Sequence, residues 1–351
     1  MIARTLVSGL LLFFAGCAAG TLGRMTGSGE LPSDVPKEMK ERFEIQEHRF
    51  VSAVEAPKTI EKLTPPVLLA VGKKAKVTNS KKNLPKLADT HIDEVAANAA
   101  FLFPKRRPAV EPIWIGEKLV FDITYFGVSA GDFALTTMPF RTIDARRVYH
   151  IQGTAISSKV FSMIYRLNDM VETFFDYEGL FSHRFHIVLD ETKQSRDSLE
   201  LNDSKKRQTF YWNRWNHKVR GYTETKEFQP MPAFPQDSLS ALYYLRSVPL
   251  PEGGVVTVPV VSEGKSWEAV VTVVRREPCS TPLGTRQCVV LNPETRYQGI
   301  LKKQGDSFLW LTDDDRRIPV RLEAKVKIGM VVAKLRAFDE GSIPSDGNSA
   351  K

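Results

Sequence analysis

The chain has 351 residues, of which 42% are hydrophobic and 26% charged, as in ordinary soluble globular proteins. A sizeable core is therefore possible, in one large domain or two small ones. The net charge of +8 would favour nucleic-acid binding only in a chain that stays in the cytoplasm, so the compartment has to be settled first.

The N-terminus has the pattern of an export signal. One cation, Arg4, precedes an uncharged run from Thr5 to Phe14, about ten residues and short of the roughly 20 that a membrane-spanning helix needs. Ala15 and Gly16 directly precede Cys17, and this stretch resembles a bacterial lipoprotein signal; an ordinary cleavable signal that contains a cysteine is the alternative.

This resemblance implies a signal peptide at residues 1–16 and acylation of Cys17, with palmitate among the acyl chains. Ala18 follows the cysteine where an inner-membrane retention signal would have Asp, so the resemblance implies a periplasm-facing outer-membrane lipoprotein. In that compartment the partners of a basic chain are the membrane itself, envelope lipids, glycans or proteins, and not nucleic acid.

Residues 17–112 have the composition of a tether. Prolines recur along it, and the run Lys73 to Lys86 carries six lysines and no acid, which buries too little apolar surface to offset the entropy of ordering. We expect this segment to be mostly disordered, with local helices at Pro36 to about Val54 and at Thr90 to Phe103.

Residues 113–339 form the predicted globular domain, followed by a disordered tail at 340–351. Short runs with period-two alternation, such as Leu119 to Tyr125, indicate strands, and hairpin-length turns separate them. Two helices interrupt the strands, Ser158 to Tyr165 and Ser238 to Ser247, the second capped by Asp237. The prediction is a mainly β domain, a large antiparallel meander curled into a barrel-like or half-barrel sheet.

The predicted strands, beyond Leu119 to Tyr125, follow from the same alternation. They are Asp132 to Met138, Val148 to Ile156, Met170 to Phe175, Phe181 to Leu189, Gln208 to Trp212, His217 to Glu224, Val255 to Val261, Trp267 to Val274, Arg286 to Leu291, Tyr297 to Lys302, Phe308 to Thr312, Ile318 to Val326 and Met330 to Phe338.

Several phrases in this region resemble one bacterial family of exported proteins, the domain of unknown function 3108. They include GEKLVFDITYFGVSAGDF at 116–133, PQDSLSALYYLRSVPL at 235–250, VPVVSEGKSW at 258–267, TPLGTRQCVVLNPE at 281–294 and WLTDDDRRIPVRLEAKVKIGMVVAKL at 310–335. The resemblance covers about two thirds of the chain and implies a β-rich envelope domain, without an activity.

Cys279 and Cys288 are candidates for a disulfide. A hairpin centred between Leu283 and Gly284 would set them directly opposite each other, at a Cα separation that a disulfide spans. An oxidising envelope favours the bond. Two free buried thiols are the alternative.

The densest cluster of charged residues in the chain consists of Asp313, Asp314 and Asp315 followed by Arg316 and Arg317. Adjacent carboxylates can mark a catalytic acid and base. Strand patterns on both sides place them instead at the tip of a hairpin, where aspartate forms side-chain-to-backbone turns and the two arginines partly neutralise the carboxylates. We therefore expect a charged turn here, with Asp313 and Asp314 as weak catalytic candidates.

An aromatic cluster is the candidate for ligand binding. Residues 209–222 read as a hairpin with Asn213 to Asn216 at its tip, and Trp212, Arg214 and Trp215 gathered around it. Exposed aromatics beside cations stack on sugars or insert at lipid interfaces. In the alternative, Tyr211 or Trp212 points into the core and the others form cross-strand pairs.

Other catalytic patterns are absent from the sequence. His183 and His186 are three apart, which on a strand sends them to opposite faces, so we predict no metal site and no cofactor. Nucleophile elbows and phosphate-binding glycine loops are missing.

Two main functions remain, beside a purely structural role as an assembly scaffold. The favoured one is a lipid-anchored, non-catalytic envelope domain that binds a lipid or glycan or docks an envelope partner. The alternative is an enzyme acting on envelope glycan through the carboxylates of Asp313 to Asp315 or of Asp190 and Glu191.

Overall fold

The computed structural model describes residues 31, 33, 35–48, 101–282, 284–297, 300–302, 307–326 and 329–344. The predicted signal peptide, Cys17, most of the predicted tether and residues 345–351 of the predicted tail lie outside the described residues. None of the helices in the described ranges has the length and apolar character needed to cross a membrane.

Three helices and sixteen strands form within these ranges. The helices are α1 (Lys37–Phe43), α2 (Lys159–Ser162) and α3 (Ser240–Ser247). The strands are β1 (Gln46–Glu47), β2 (Lys118–Tyr125), β3 (Val128–Ile143), β4 (Arg146–Ser157), β5 (Asn168–Asp176), β6 (Ser182–Asp190), β7 (Gln194–Asp203), β8 (Gln208–His217), β9 (Gly221–Pro230), β10 (Val255–Ser262), β11 (Lys265–Thr281), β12 (Gly284–Tyr297), β13 (Ile300–Lys302), β14 (Ser307–Thr312), β15 (Pro319–Lys325) and β16 (Met330–Asp339).

All sixteen strands belong to one antiparallel sheet. Its order is β10-β11-β12-β14-β15-β16-β2-β3-β4-β5-β6-β7-β8-β9, with β1 added to β3 and β13 added to β12. Most neighbours in this order are also neighbours in the chain, joined by short turns, which is the pattern of a meander. The predicted fold class, a mainly β antiparallel meander, is confirmed.

The sheet is strongly curled. The turn between β10 and β11 reaches β7, where the Gly264 amide donates to Glu200 at 2.7 Å and Arg196 pairs with Glu263 at 2.8 Å. Because β10 is one edge of the sheet and β7 lies close to the other, the two ends must bend toward each other. Among the described residues no strand ladder joins β9 to β10, so the curl stays open as a half-barrel.

The two faces of the sheet have separate cores. On the inner face α3 contributes Leu242, Tyr243 and Leu245 to a large cluster that includes residues from β2 to β6 and from β11 to β16. Asp237 starts this helix as predicted, because its carboxylate accepts the Leu239 and Ser240 amides at 2.8 and 2.7 Å.

On the opposite face α1 packs Met39 and Phe43 against a smaller cluster with Phe174, Phe210 and Trp212. Residues 35–48 belong to the segment predicted as a tether, yet they lie against the sheet. The helix within them is shorter than predicted, because it ends at Phe43 and the chain continues as β1.

Residues 101–112 also contact the domain. Phe103 stacks on Phe181 at 5.8 Å between ring centroids, and Arg107 lies 3.8 Å from the centre of the Tyr177 ring. The predicted helix from Thr90 to Phe103 falls mostly outside the described residues, and its last three residues have no helical structure.

Several strand predictions were wrong. The predicted strand His217 to Glu224 crosses a turn, because β8 ends at His217 and β9 begins at Gly221. Strand β7 was missed because its sequence, QSRDSLELND, shows little apolar character; Leu199 and Leu201 face the α1 side, whereas the buried Ser198 and Glu200 face the other. The predicted strands Leu119 to Tyr125 and Asp132 to Met138 leave six residues between them, but the observed turn has only two, since β2 ends at Tyr125 and β3 begins at Val128.

Candidate functional site

An apolar groove opens at one end of the curled sheet, between α3 and strands β2, β3, β4, β14, β15 and β16. The space within the groove and in the open solvent at its mouth together amounts to about 760 Å³. Large apolar side chains form its walls: Phe121, Ile123, Leu135, Leu242, Leu309 and Leu322. Of the residues that line it, Asp132 and Arg321 alone are charged. The lining therefore offers few groups that would orient a polar molecule.

Small residues create the space. Ala130, Gly131, Ala155 and Ala333 occupy lining positions on β3, β4 and β16. At Gly131 a Cβ atom would lie 2.2 Å from the Ile156 carbonyl oxygen, so only glycine lets β3 approach β4 this closely. Sequence reasoning missed these residues because alternation predicts which face a side chain lies on and not whether neighbouring volumes fill the interior. Small residues at inward positions of adjacent strands were the available signal.

The mouth of the groove has exposed apolar side chains, which we call the apolar rim: Phe126, Val128, Ile156, Val160, Met163, Ile164 and Met330. Three connections bring them together. The β2–β3 turn and the β15–β16 turn meet where the Phe126 ring covers Gly329, and α2 joins them because the Ser158 amide donates to the Ala130 carbonyl at 2.9 Å.

A pair of buried carboxyl groups lies beside the rim. Asp169 at the start of β5 and Glu191 after β6 are buried close enough for their negative charges to interact, and Glu191 accepts from Tyr165, in the segment after α2, and from Gln194 at 2.7 Å. Burial, with the neighbouring negative charge of Glu191, raises the pKa of Asp169 to about 8, and burial raises the pKa of Glu191 to about 7. The pair therefore retains a proton at neutral pH and joins the α2 segment to the sheet.

The candidate carboxylates Asp190 and Glu191 thus differ in environment. Asp190 is half exposed and forms an ion pair with Arg166 at 2.8 Å, while Glu191 belongs to the buried pair. The partner of Glu191 is Asp169, which sequence reasoning did not consider because 22 positions separate the two in the chain.

The opposite end of the sheet is closed by a buried ion-pair cluster. Glu117, just before β2, accepts from Arg246 of α3 at 2.6 and 2.7 Å and from Arg316 of the β14–β15 loop at 2.5 Å. The side chains of Glu117 and Arg246 are fully buried. Arg316 also lies 3.7 Å from the centre of the Trp114 ring. These contacts fasten α3 and the loop to the start of β2.

The aspartate cluster occupies the loop between β14 and β15, so the predicted hairpin tip is confirmed. Asp314 accepts from Thr312 Oγ1 and from the backbone amides of Arg316 and Arg317 at 2.8 to 3.0 Å. The prediction that Arg316 neutralises the aspartates is wrong, because that side chain is turned to Glu117. Asp313 instead pairs with Arg276 of β11 at 2.7 Å. The cluster is a structural turn in which Asp313 and Asp314 already have partners.

The aromatic hairpin differs from its prediction. Strand β8 runs without interruption from Gln208 to His217 and turns only at Lys218 to Arg220, so Asn213 to Asn216 are not a tip. Trp212 is 8% exposed, packs in the α1-side cluster and donates to Glu224 at 2.8 Å. Arg214 pairs with Asp197 at 2.5 Å, and Trp215 donates to Gln194 at 2.8 Å. Arg214 lies 4.8 Å from the centre of the Trp212 ring on one face of β8, while Trp215 lies on the other face, so the three residues do not converge on one surface.

A buried charged ladder crosses five adjacent strands on the α1 side. His150 and Glu172 are 3.0 Å apart, His186 lies 3.8 Å from Glu172 and 2.9 Å from Asp197, and Arg214 closes the row. Burial opposes the charge of His186, but the hydrogen bond to Asp197 and the nearby Glu172 carboxylate raise its pKa above the ordinary value. The ladder is a paired structural network, and sequence reasoning could not foresee it because its members are far apart in the chain.

His183 has a different partner, Asp176 at 3.1 Å, so His183 and His186 do not share a site. Among the described residues, no group of three or more histidine, cysteine or acidic side chains is placed to hold a metal ion.

Cys279 and Cys288 form a disulfide, with Cα atoms 5.9 Å apart. The predicted hairpin centre between Leu283 and Gly284 is wrong. Thr281 pairs with Gly284, Cys279 with Arg286, and Glu277 with Cys288, so the two cysteines are diagonal neighbours. The bond is compatible with this register because diagonal side chains on adjacent strands also approach each other.

The described part of the chain is thus a curled antiparallel sheet around one helix, closed by ion pairs at one end and apolar at the other. Residues 120–336 match the family model described as "Protein of unknown function (DUF3108)", and the chain belongs to this family. The predicted family is confirmed. None of the curated proteins matches the chain.

Three solved structures are similar to it. A beta-barrel-like protein of the domain of unknown function DUF1849 from Brucella abortus is 11% identical, covers 66% of this chain and 99% of its own, and has a TM-score of 0.43. A protein from Bacteroides fragilis NCTC 9343, described as exported and of YmcC-like fold, is 10% identical, covers 69% and 100%, and scores 0.30. A protein from Parabacteroides distasonis ATCC 8503, described as a lipoprotein, is 11% identical, covers 68% and 100%, and scores 0.25.

Proposed function

We propose that this protein is a cell-envelope lipid-binding protein that holds part of an acyl chain in the groove between α3 and the curled sheet. The observation that carries the proposal is the apolar lining of a groove that is open at its mouth. Water in such a space has few polar partners, so replacing it with hydrocarbon is favourable by roughly 25 cal/mol per Å² of apolar surface removed from water.

The lining favours an acyl chain over a glycan. Recognition of a sugar depends on several convergent hydrogen-bonding groups and on aromatic faces for stacking. In this groove Asp132 pairs with Arg336 at 3.2 Å, and Arg321 pairs with Glu323, so both charged lining residues already have partners. Little polar capacity remains for sugar hydroxyl groups.

The location in the envelope is part of the proposal. Residues 1–17 have the pattern of a lipoprotein signal, and acylation of Cys17 would hold the protein at the outer membrane, facing the periplasm. A protein placed there has phospholipids and their acyl chains within reach.

The test is binding of a fluorescent fatty acid to the full chain, together with mass spectrometry of lipids that copurify with it. We expect saturable binding by the wild-type protein. Ala333 lies in the groove, so Ala333→Phe should fill the space and weaken binding by tenfold or more, which corresponds to about 1.4 kcal/mol.

Ala337 provides the matched control, since it is an exposed residue of the same strand and Ala337→Phe should bind like the wild type. Ala155→Leu, which fills the groove with a smaller side chain, guards against loss of folding, and circular dichroism checks each variant. If no lipid copurifies and the fatty acid does not bind, or if all variants bind equally, the proposed function is wrong.

A further inference from the structure

The apolar rim is unusually exposed for a soluble protein. Met163, Ile164 and Val160, in and just after α2, are 79%, 78% and 66% exposed. Scattered exposed apolar side chains are normal, but here seven of them come from three neighbouring connections and surround one opening. Contiguous apolar surface of this kind marks a contact with a membrane or another molecule.

The rim is continuous with the groove. Ile156 belongs to both, and Phe126 and Val128 lie at the turn between β2 and β3, the strands that carry Phe121 and Phe133 into the lining. An acyl chain that enters the groove must pass this edge. If the rim were surrounded by water, the acyl chain would be exposed to water as it entered the groove. If the rim lay in lipid, the acyl chain would not be exposed to water.

Cations lie at the same edge. Lys159 is exposed within α2 beside Val160, and Lys325 is exposed at the end of β15, next to the turn that carries Met330. Apolar side chains flanked by lysines are the combination that binds the interface of a bilayer containing anionic lipid.

We infer that the apolar rim inserts into the interfacial layer of a phospholipid bilayer, so that the groove opens directly onto the acyl chains. The occupant of this surface is the bilayer itself. The inference rests on the proposed function, because it supplies the source of the hydrocarbon that the groove takes up.

The test places an environment-sensitive fluorophore on the rim of the full chain. Met163→Cys, labelled with a nitrobenzoxadiazole group, is mixed with vesicles of phosphatidylethanolamine and phosphatidylglycerol. We expect a blue shift of the emission and quenching by brominated acyl chains. Unmutated protein carried through the same labelling corrects for reaction at the native cysteines.

The matched control is Leu102→Cys, since Leu102 is 83% exposed but lies in the segment packed against the β5–β6 turn, at the opposite end of the sheet. Its label should show neither shift nor quenching, even if an N-terminal lipid anchors the chain. In the Met163→Cys background, Ile164→Glu with Val160→Glu should abolish both signals while leaving fatty-acid binding in solution unchanged.

The outcomes separate the two proposals. Two outcomes would overturn the membrane contact even if the fatty acid still binds. In one, the labels at positions 163 and 102 give equal signals. In the other, the rim label is not quenched and the rim substitutions change the oligomeric state. A quenched rim label supports the membrane contact. If the same protein does not bind the fatty acid, only the proposed binding of an acyl chain in the groove is contradicted.

Discussion

Glu117 receives hydrogen bonds from two arginines that are 70 positions apart in the chain, Arg246 and Arg316. The carboxylate and the Arg246 guanidinium are both fully buried, so each depends on the other for the interactions that water would otherwise provide. Arg316 belongs to the charged cluster at 313–317 that suggests an active site in the sequence, but in the fold it forms a structural clasp with Glu117 and Arg246.

We expect Glu117→Gln to lower the free energy of unfolding by about 3 kcal/mol, because it leaves a buried guanidinium without its counter-charge. Urea denaturation measures the change. Asp313→Asn is the comparison, since its ion pair with Arg276 is partly exposed and its loss should cost less than about 1 kcal/mol. Similar costs for the two substitutions would contradict the assigned role of Glu117.

At the scale of elements, the α2 segment is attached to the sheet through the carboxyl pair of Asp169 and Glu191. Because the folded protein keeps a proton that the unfolded chain has released, it binds more protons than the unfolded chain between about pH 4 and pH 8. The contribution of the pair to stability is therefore present in acid and is lost as the pH rises through the raised pKa values.

The free energy of unfolding should fall by more than about 1 kcal/mol between pH 5 and pH 8, measured by urea denaturation at each pH. Asp169→Asn removes one titrating group, so its stability should fall less over the same interval. His186, whose folded pKa is also raised, adds a loss of stability above about pH 6.5 in both proteins, so the difference between them isolates the pair. Parallel pH curves for the two proteins would rule out the raised pKa of Asp169.

At the scale of the whole molecule, protection of the sheet is uneven. Strand β6 is buried along nearly its whole length because α3-side and α1-side residues cover its two faces. Strand β9 is the opposite edge from β10, and eight of its ten residues are exposed. Local opening costs least where few buried contacts have to break.

Hydrogen exchange followed by mass spectrometry should therefore show amides of β9 exchanging faster than those of β6 by orders of magnitude. The same experiment reports on the N-terminal segment. Residues 37–43 should exchange more slowly than β9 because α1 packs Met39 and Phe43 into a core. Equal protection of β6 and β9 would mean that the edge strand has a partner in solution.

The sequence by itself determined the elements and their class. Period-two alternation predicted most strands, as at Leu119 to Tyr125, because burial of one face imposes it; the aspartate turn and the Asp237 cap followed from local hydrogen-bonding preferences. The strand prediction failed where the local pattern and burial disagree. Strand β7 carries buried polar side chains whose partners, such as Gly264 for Glu200, come from distant parts of the chain.

The candidate site was decided by the tertiary structure alone. The groove exists because small residues of β3, β4 and β16 are brought opposite large ones from α3 and β14, and the clasp exists because the curl brings Arg246 and Arg316 to Glu117. Alternation specifies the face on which a side chain lies. Which faces meet, and whether their volumes fill the space between them, depends on the curl of the sheet.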